Sequence, residues 1–262
     1  MAFNLASVSN ETRIKAPRIV LLGVEKIGKS TFAGGSERPI FIPIRGEEGI
    51  DSLAVGKFPT CSTIKDVTDC LFSLYSEQHD YATVVLDSAS ALEPIIWQDV
   101  CQRHGNVDSI EKVGGGYGKG YTEALSVWRT LTSALDSLRD QRNIASIIVG
   151  HVKVKRFDDP TGPSYDQYQF DINDKAANLL FRWSDLILFC NTKVVVRSEA
   201  VGFNKEKHQG IDITGGQRFL YTQKRPAHPG GGRGVFGQLP YELPLSWGNL
   251  MDSVSAISQK TN

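Results

Sequence analysis

The hydrophobic positions of the chain fall into short unbroken runs separated by longer stretches of helical periodicity. Residues 18–23 (RIVLLG), 40–44 (IFIPI), 82–87 (ATVVLD), 144–149 (IASIIV) and 186–189 (LILF) are nearly continuous apolar runs. Runs this short, rich in β-branched residues and stopped by Gly, Asp or a polar turn, predict strands buried on both faces. Between them, 63–78, 88–104, 121–142 and 174–183 repeat apolar residues every three or four positions and predict helices. Strands alternating with helices imply an α/β domain with a mainly parallel central sheet flanked by helices. After about residue 192 the pattern shortens to 193–197 and 218–222, expected as small antiparallel strands at one edge. Tyr241, Leu243, Leu245, Trp247 and Leu250 crowd residues 240–251, so that stretch is expected to dock back on the core. The expected layout is a flexible N-terminal arm over 1–16, one domain over 17–252 and a disordered tail over 253–262.

The first strand runs directly into Gly23, Val24, Glu25, Lys26, Ile27, Gly28, Lys29, Ser30 and Thr31, which satisfy G-x-x-x-x-G-K-[ST]. A buried strand immediately before this pattern is the context that makes it a phosphate-binding loop. The glycines let the backbone curl until successive N–H groups face inward, an anion cup at the start of a helix. Lys29 brings a point charge to the β- and γ-phosphates, Ser30 a hydroxyl to Mg²⁺, and Thr31 reaches the α-phosphate side. ATP with Mg²⁺ is the expected ligand.

Asp87 closes the strand over 82–87. At a strand end beside the loop it holds a Mg²⁺-bound water; the plainer role is to cap the helix that follows. Many ATPases with this loop place a catalytic Glu directly after that Asp, but position 88 is Ser. A substitute is expected at another strand end, and Glu47 and Glu48 directly follow the 40–44 run. Glu47, taken ahead of Glu48, would orient and polarise the attacking water. The alternative is a solvated acidic turn.

Composition narrows the rest. Apolar residues make up 40% and charged residues 22% of 262 residues, ordinary for a globular domain. Lys plus Arg and Asp plus Glu are 29 each, so a polyanionic partner has to be met by a local patch. Cys61, Cys70, Cys101 and Cys190 form no metal-ligand spacing and read as buried free thiols of a reducing compartment. The polar N-terminus lacks a secretory apolar segment, and no run approaches the ~20 residues that span a bilayer. No membrane contact and a cytoplasmic location are expected.

With Glu47-Glu48-Gly49-Ile50 after the second strand, Asp87-Ser88 after the third, Tyr117 to Tyr121 before Trp128, and Gly150-His151 at a later strand end, the chain resembles RecA-like P-loop ATPases. More narrowly it resembles phage-encoded proteins reduced to a RecA core, some of which are single-strand annealing recombinases. The resemblance covers about residues 17–247. It implies a RecA-like P-loop NTPase core, a DNA-dependent ATPase acting on single-stranded DNA in annealing or strand exchange, and self-association into a ring or filament. A single-strand-binding protein is a further possible partner. It also implies that His151 is a γ-phosphate sensor and that 152–175, with Lys153, Lys155, Arg156 and Phe157, faces DNA. Read from composition alone, that segment is a flexible polar loop in which acidic residues offset the bases. Residues 114–120 are a second DNA candidate, or a mobile lid. Family members often carry an Ala-Lys-Asn-Arg-like stretch near the end; here residues 229–234 keep only Arg233 of it. From Lys205 to Arg233 six bases face two acids; Lys224, Arg225 and Arg233 are the candidates for a cation acting in trans on a neighbour's γ-phosphate, and the plainer reading is a solvated basic face. Two other functions use the same loop: a nucleotide-gated assembly factor such as a helicase loader, and a phosphotransferase acting on a small acceptor.

Overall fold

The computed structural model describes residues 15–47, 49–200, 206–212 and 214–261. Glu48, Lys205 and residues 1–14 of the expected arm lie outside them. Five of the strands are β1 (Arg18–Gly23), β2 (Pro39–Pro43), β4 (Thr83–Asp87), β5 (Ala145–Phe157) and β7 (Leu186–Thr192). Together with the short β3 (Gly56–Lys57) they form a parallel sheet in the order β7-β1-β5-β4-β2-β3. The helices are α1 (Lys29–Gly34), α2 (Ile64–Ser76), α3 (Ala89–Arg103), α4 (Lys119–Arg142), α5 (Asp174–Trp183) and α6 (Trp247–Thr261). The loop-bearing strand β1 is thus separated from the Asp87 strand by β5, and the sheet is the RecA-like α/β arrangement.

The unbroken apolar runs follow from burial on both sides. Successive side chains of β1 point to opposite faces, so Val20 and Leu22 join one core while Ile19 and Leu21 join the other. The first core takes its helical cover from α2, α3, α4 and α5 through residues such as Leu71, Leu92, Trp128 and Leu180. The second is covered by Phe32 of α1 and Leu250 of α6. Thr63 and Asp66 make a reciprocal capping box that starts α2 one residue after the boundary implied by the apolar spacing. At the N-terminal strand ends, Arg18 bridges Asp185 at 2.8 Å and Asp136 at 3.1 Å, pinning β1, α4 and the entry to β7.

Four expectations are corrected. Residues 152–175 are not a loop throughout. β5 continues to Phe157 and pairs antiparallel with β6 (Tyr165–Phe170), from Val152 opposite Phe170 to Phe157 opposite Tyr165. Pro160, Gly162 and Pro163 supply the turn between two half-apolar strands. Second, the strand expected over 193–197 is β8 (Val194–Ala200), which pairs with β9 (Glu206–Asp212) in a separate ribbon and not on the sheet edge. The edge is built by β10 (Arg218–Tyr221) and β12 (Glu242–Pro244), while β11 (Gly231–Gly232) pairs with β7. Third, the tail over 253–262 is helical to Thr261: Val254 and Ile257 continue the stripe begun by Leu250 and pack on the second core. Burying Leu250 alone contributes about 2 kcal/mol toward ordering that helix. Fourth, Lys15 and Ala16 of the expected arm are tied to α4, through Asp140 at 2.6 Å and Arg139 at 2.7 Å.

One buried carboxylate joins the helical layer to the hairpin. Glu93 of α3 is 5% exposed and accepts the Asn173 N–H with both oxygens, at 2.8 and 2.9 Å. Burial pushes its pKa from 4.5 up to about 7. A carboxyl whose folded pKa lies above its unfolded value stabilises the fold below the unfolded value and loses that contribution as pH rises through the folded one. The thermal midpoint should therefore fall between about pH 4.5 and 7. Glu93→Gln, which keeps an acceptor oxygen, should flatten that part of the profile; identical slopes for both proteins in a pH-scanned melt would remove the assignment.

Candidate functional site

The parallel sheet brings the C-terminal ends of β1, β2, β4 and β5 side by side, so residues far apart in sequence converge there. The loop after β1 turns into α1 at Gly28, whose φ of 104° lies in the left-handed region and whose carbonyl accepts from Phe32 at 2.9 Å. The left-handed backbone favours glycine here, and a Cβ would stand 2.9 Å from the Arg218 guanidinium and push that side chain aside. Lys29 folds back over the loop and donates to the carbonyls of Gly23 at 3.0 Å and Val24 at 2.9 Å. Its side chain is buried, and that burial holds the ammonium below its usual pKa against the pull of Cys190, Asp87 and Glu47.

Ser30 and Asp87 meet directly, Oγ donating to Oδ2 at 2.7 Å. Burial pushes Asp87 above the usual carboxylate range, with the Ser30 hydrogen bond opposing. Asp87 is followed by Ser88, which does cap α3 by accepting from Ala91 at 3.2 Å. Capping thus falls to Ser88, and Asp87 is left facing the cup. A hydroxyl and a carboxylate at this spacing beside an open cup fit Mg²⁺. Such an ion keeps several waters and takes other oxygens from phosphates, and no cage of three or more His, Cys, Asp or Glu occurs among the described residues.

Glu47 is half-buried at the end of β2, and two donors meet on its Oε1: Ser88 Oγ at 2.6 Å and His151 Nε2 at 2.8 Å. Burial pushes the carboxyl up, but the hydrogen bonds from His151 and Ser88 outweigh it and hold Glu47 below its ordinary value. It is ionised at neutral pH, as a water-orienting base has to be. The other ring nitrogen of His151, Nδ1, lies 3.4 Å from Lys29 Nζ. One imidazole therefore spans the lysine of the loop and the candidate base. The backbone N–H of His151 donates to Ser90 Oγ of α3 at 3.0 Å, which fixes where β5 leaves the sheet.

These residues line a cavity of about 560 Å³ with Glu25, Lys26, Gly28, Thr31, Gly46, Gly49 and Arg218. The sequence-derived set Lys29, Ser30, Asp87, Glu47 and His151 is brought together in full. Arg218, at the start of β10, escaped the sequence reading. It enters the cup only because β10 pairs with β7, and its Nη1 donates to the Ile27 carbonyl at 3.2 Å.

The remaining candidates lie elsewhere. Lys153, Lys155, Arg156 and Phe157 occupy the exposed continuation of β5, with Lys153 paired to Asp171 at 3.2 Å and Lys155 to Asp174 at 3.3 Å. Phe157 packs on Tyr165 at 5.3 Å. Arg156 lies opposite Asp166 in the ladder. Of the three proposed trans cations, Arg225 lies 4.2 Å above the Tyr241 ring, and Arg233 binds the Arg182 carbonyl and sits 3.9 Å from Asp185. Arg233 is thus committed to its own chain at the opposite end of the strands from the cup. Lys224 lines a cavity with Lys155, Tyr168 and Phe181. The glycine-rich 114–120 segment is partly a 3-10 turn over Ile110–Gly115 and partly the start of α4, with Tyr117 fully exposed. All four cysteines are free and buried, Cys61 and Cys70 with sulfurs 3.7 Å apart. No described helix is long and apolar enough to cross a membrane.

Replacing Lys29 with Ala should lower the affinity for Mg²⁺·ATP by about a hundredfold, the loss of charge-assisted hydrogen bonds worth a few kcal/mol. Calorimetric titration of the folded variant checks this; unchanged affinity would mean that the cup does not hold phosphates.

Comparison with known proteins places these features in context. A family model described as an AAA domain matches residues 15–234, the span that holds every residue of the cup. No curated protein matches the chain. Among solved structures, the crystal structure of the RadB recombinase is similar at 15% identity and a TM-score of 0.44, covering 82% of this chain and 85% of that one.

Proposed function

The chain belongs to the AAA-domain family, and on that premise we propose that it is an ATPase that acts on single-stranded DNA in annealing or strand exchange. The observation that carries the ATPase reading is the convergence of Lys29, Ser30, Asp87, Glu47 and His151 on one cup. In this reading Lys29 gives up the Gly23 and Val24 carbonyls for the β- and γ-phosphates. Ser30 and, through water, Asp87 would hold Mg²⁺, which would supply charge neutralisation at the phosphates. Glu47 orients the attacking water and accepts its proton, while Ser88 and His151 keep the carboxylate ionised and aimed. Because His151 touches both Lys29 and Glu47, it senses whether a γ-phosphate separates them.

The DNA reading is supported by where β5 goes after His151. The strand leaves the sheet and becomes one arm of the β5–β6 hairpin, which carries Lys153, Lys155, Arg156, Phe157, Tyr165 and Tyr168. Cations meet phosphates and rings stack on bases, so such a hairpin suits a single strand better than a duplex. Pairing of Lys153 and Lys155 with Asp171 and Asp174 reduces the net charge on offer and leaves Arg156 as its least committed cation. Self-association into a ring or filament, of the kind found in the phage-encoded core-only proteins that the sequence resembles, would place a neighbour's cation at the cup. Lys224, which has no hydrogen-bond or ion-pair partner among the described residues, is the one we retain for that role.

Glu47→Gln should bind Mg²⁺·ATP like the wild type and hydrolyse it roughly 10²- to 10⁴-fold more slowly, the usual contribution of a positioned base. Normal turnover by that variant would remove Glu47 from the mechanism. Affinity for single-stranded oligonucleotide, measured with ATP present, should fall linearly with the logarithm of salt concentration. Arg156→Ala should lessen that slope by about 0.7 while leaving ATP affinity unaltered. No oligonucleotide binding at low salt would remove the DNA reading and leave the ATPase standing.

A further inference from the structure

A second cavity of about 300 Å³ opens beside the cup, lined by Gly28, Thr31, Phe32, Gly35, Arg218, Leu245, Ser246, Trp247 and Gly248. The two cavities share Gly28, Thr31 and Arg218, whereas Glu47, Asp87 and His151 line only the first. That gives the pair a direction: the reacting end lies toward Glu47, and the second cavity continues from the opposite end. A nucleotide gripped by its phosphates in this orientation has its nucleoside leave the cup past Thr31. We propose that the cleft between α1 and the start of α6 is the nucleobase subsite, walled by the Trp247 indole and the Arg218 guanidinium. The inference rests on the phosphate-cup reading above and extends it to the rest of the ligand.

The chemistry of the walls fits a flat, weakly polar ring. Phe32, Leu245 and Trp247 supply apolar surface, and no carboxylate lines the cleft. Trp247 meets Phe32 at 5.6 Å with the planes at 63°, and Phe32 is buried, so the indole is propped from the core side. Trp247 itself stays partly exposed, and the α6 stripe behind it, Leu250, Val254 and Ile257, anchors the segment on the second core. Across the cleft, the single bond to the Ile27 carbonyl holds Arg218 beside Gly28, and no described carboxylate pairs with it. A guanidinium is planar and weakly hydrated, well suited to lie against an aromatic ring. Stacking of a base on an aromatic wall tolerates any base, since every base has a π-face.

Titration with two probes tests this: Mg²⁺·ATP, which carries a base, and Mg²⁺·tripolyphosphate, which carries only the phosphates. Trp247→Ala should weaken ATP binding about tenfold or more and leave tripolyphosphate binding as in the wild type. Trp247→Phe, which keeps an aromatic wall, should recover most of the ATP affinity and serves as the folding control. Nucleotide binding by the wild type should also change Trp247 fluorescence, and tripolyphosphate should not. Equal weakening of both probes by Trp247→Ala, or of neither, would overturn the subsite. A wild-type protein that binds neither probe would overturn the phosphate cup itself and this inference with it, whereas one that binds tripolyphosphate as tightly as ATP would overturn only the subsite.

Discussion

A buried ammonium is tolerated only where its charge is met, and the placement of Lys29 governs the rest of the site. Its Nζ is satisfied by the Gly23 and Val24 carbonyls, with Asp87 and Glu47 contributing favourable charge nearby. Those carbonyls belong to the loop, so the lysine braces the curl that it completes. The curl needs Gly23 as well as Gly28, because a Cβ at Gly23 would fall 2.6 Å from the Cys190 carbonyl of β7. Close approach of β1 and β7 and the folded-back lysine are therefore one structural fact. A triphosphate offers an ammonium better acceptors than two amide carbonyls.

Burial and hydrogen bonding, more than the charge of the lysine, set the proton affinities of the carboxylates around it. Asp87 and Glu47 are both carboxylates near one cation, yet they are pushed in opposite directions. Asp87 is the more deeply buried, has one hydroxyl donor and rises; Glu47 has two donors on a single oxygen and falls. Two carboxylates with separated proton affinities can divide the work, one beside the metal and one on the water. Ser88 makes that division possible. A Glu at position 88 would have crowded the site now reached by Glu47 from β2, and Ser88 instead supplies a hydroxyl both to Glu47 and to the first turn of α3.

The strand–helix alternation and the cup were legible in the sequence because both are local. A buried parallel strand has to be apolar along its whole length, and a phosphate loop has to carry its glycines and lysine at fixed spacing. Helices α3 and α5 matched their expected spans closely, since the side-chain cap of each and the amphipathic stripe of α5 are also local signals. What escaped was set by distance or masked by charge. Arg218 reaches Ile27 across 191 residues through the pairing of β10 with β7, and nothing near position 218 announces it. The β5–β6 hairpin was hidden by its own acidic residues, although Val152 and Val154 facing Phe170 and Tyr168 carry the alternation of a half-buried pair. The helix after residue 252 was hidden because Leu250, Val254 and Ile257 are diluted by serines, and only the core they land on makes the stripe count.

Helix α3 links the reacting end of the cup to the hairpin by short, directional contacts. Ser88 at its cap touches Glu47, Ser90 in its first turn holds the His151 N–H, and Glu93 one turn later holds the N–H of Asn173. Asn173 caps α5 just after the hairpin strand β6, and Asp171 between them donates its N–H to the His151 carbonyl at 2.9 Å. Both ends of the hairpin are therefore fixed to the helix whose cap residue donates to Glu47. A contiguous chain of this kind carries no free energy by itself; coupling requires that ligand bind two arrangements unequally. The groups able to make that difference are at the top of the chain. The imidazole that joins Lys29 to Glu47 and the backbone N–H that meets Ser90 belong to one residue, His151, at the point where the sheet strand becomes the hairpin.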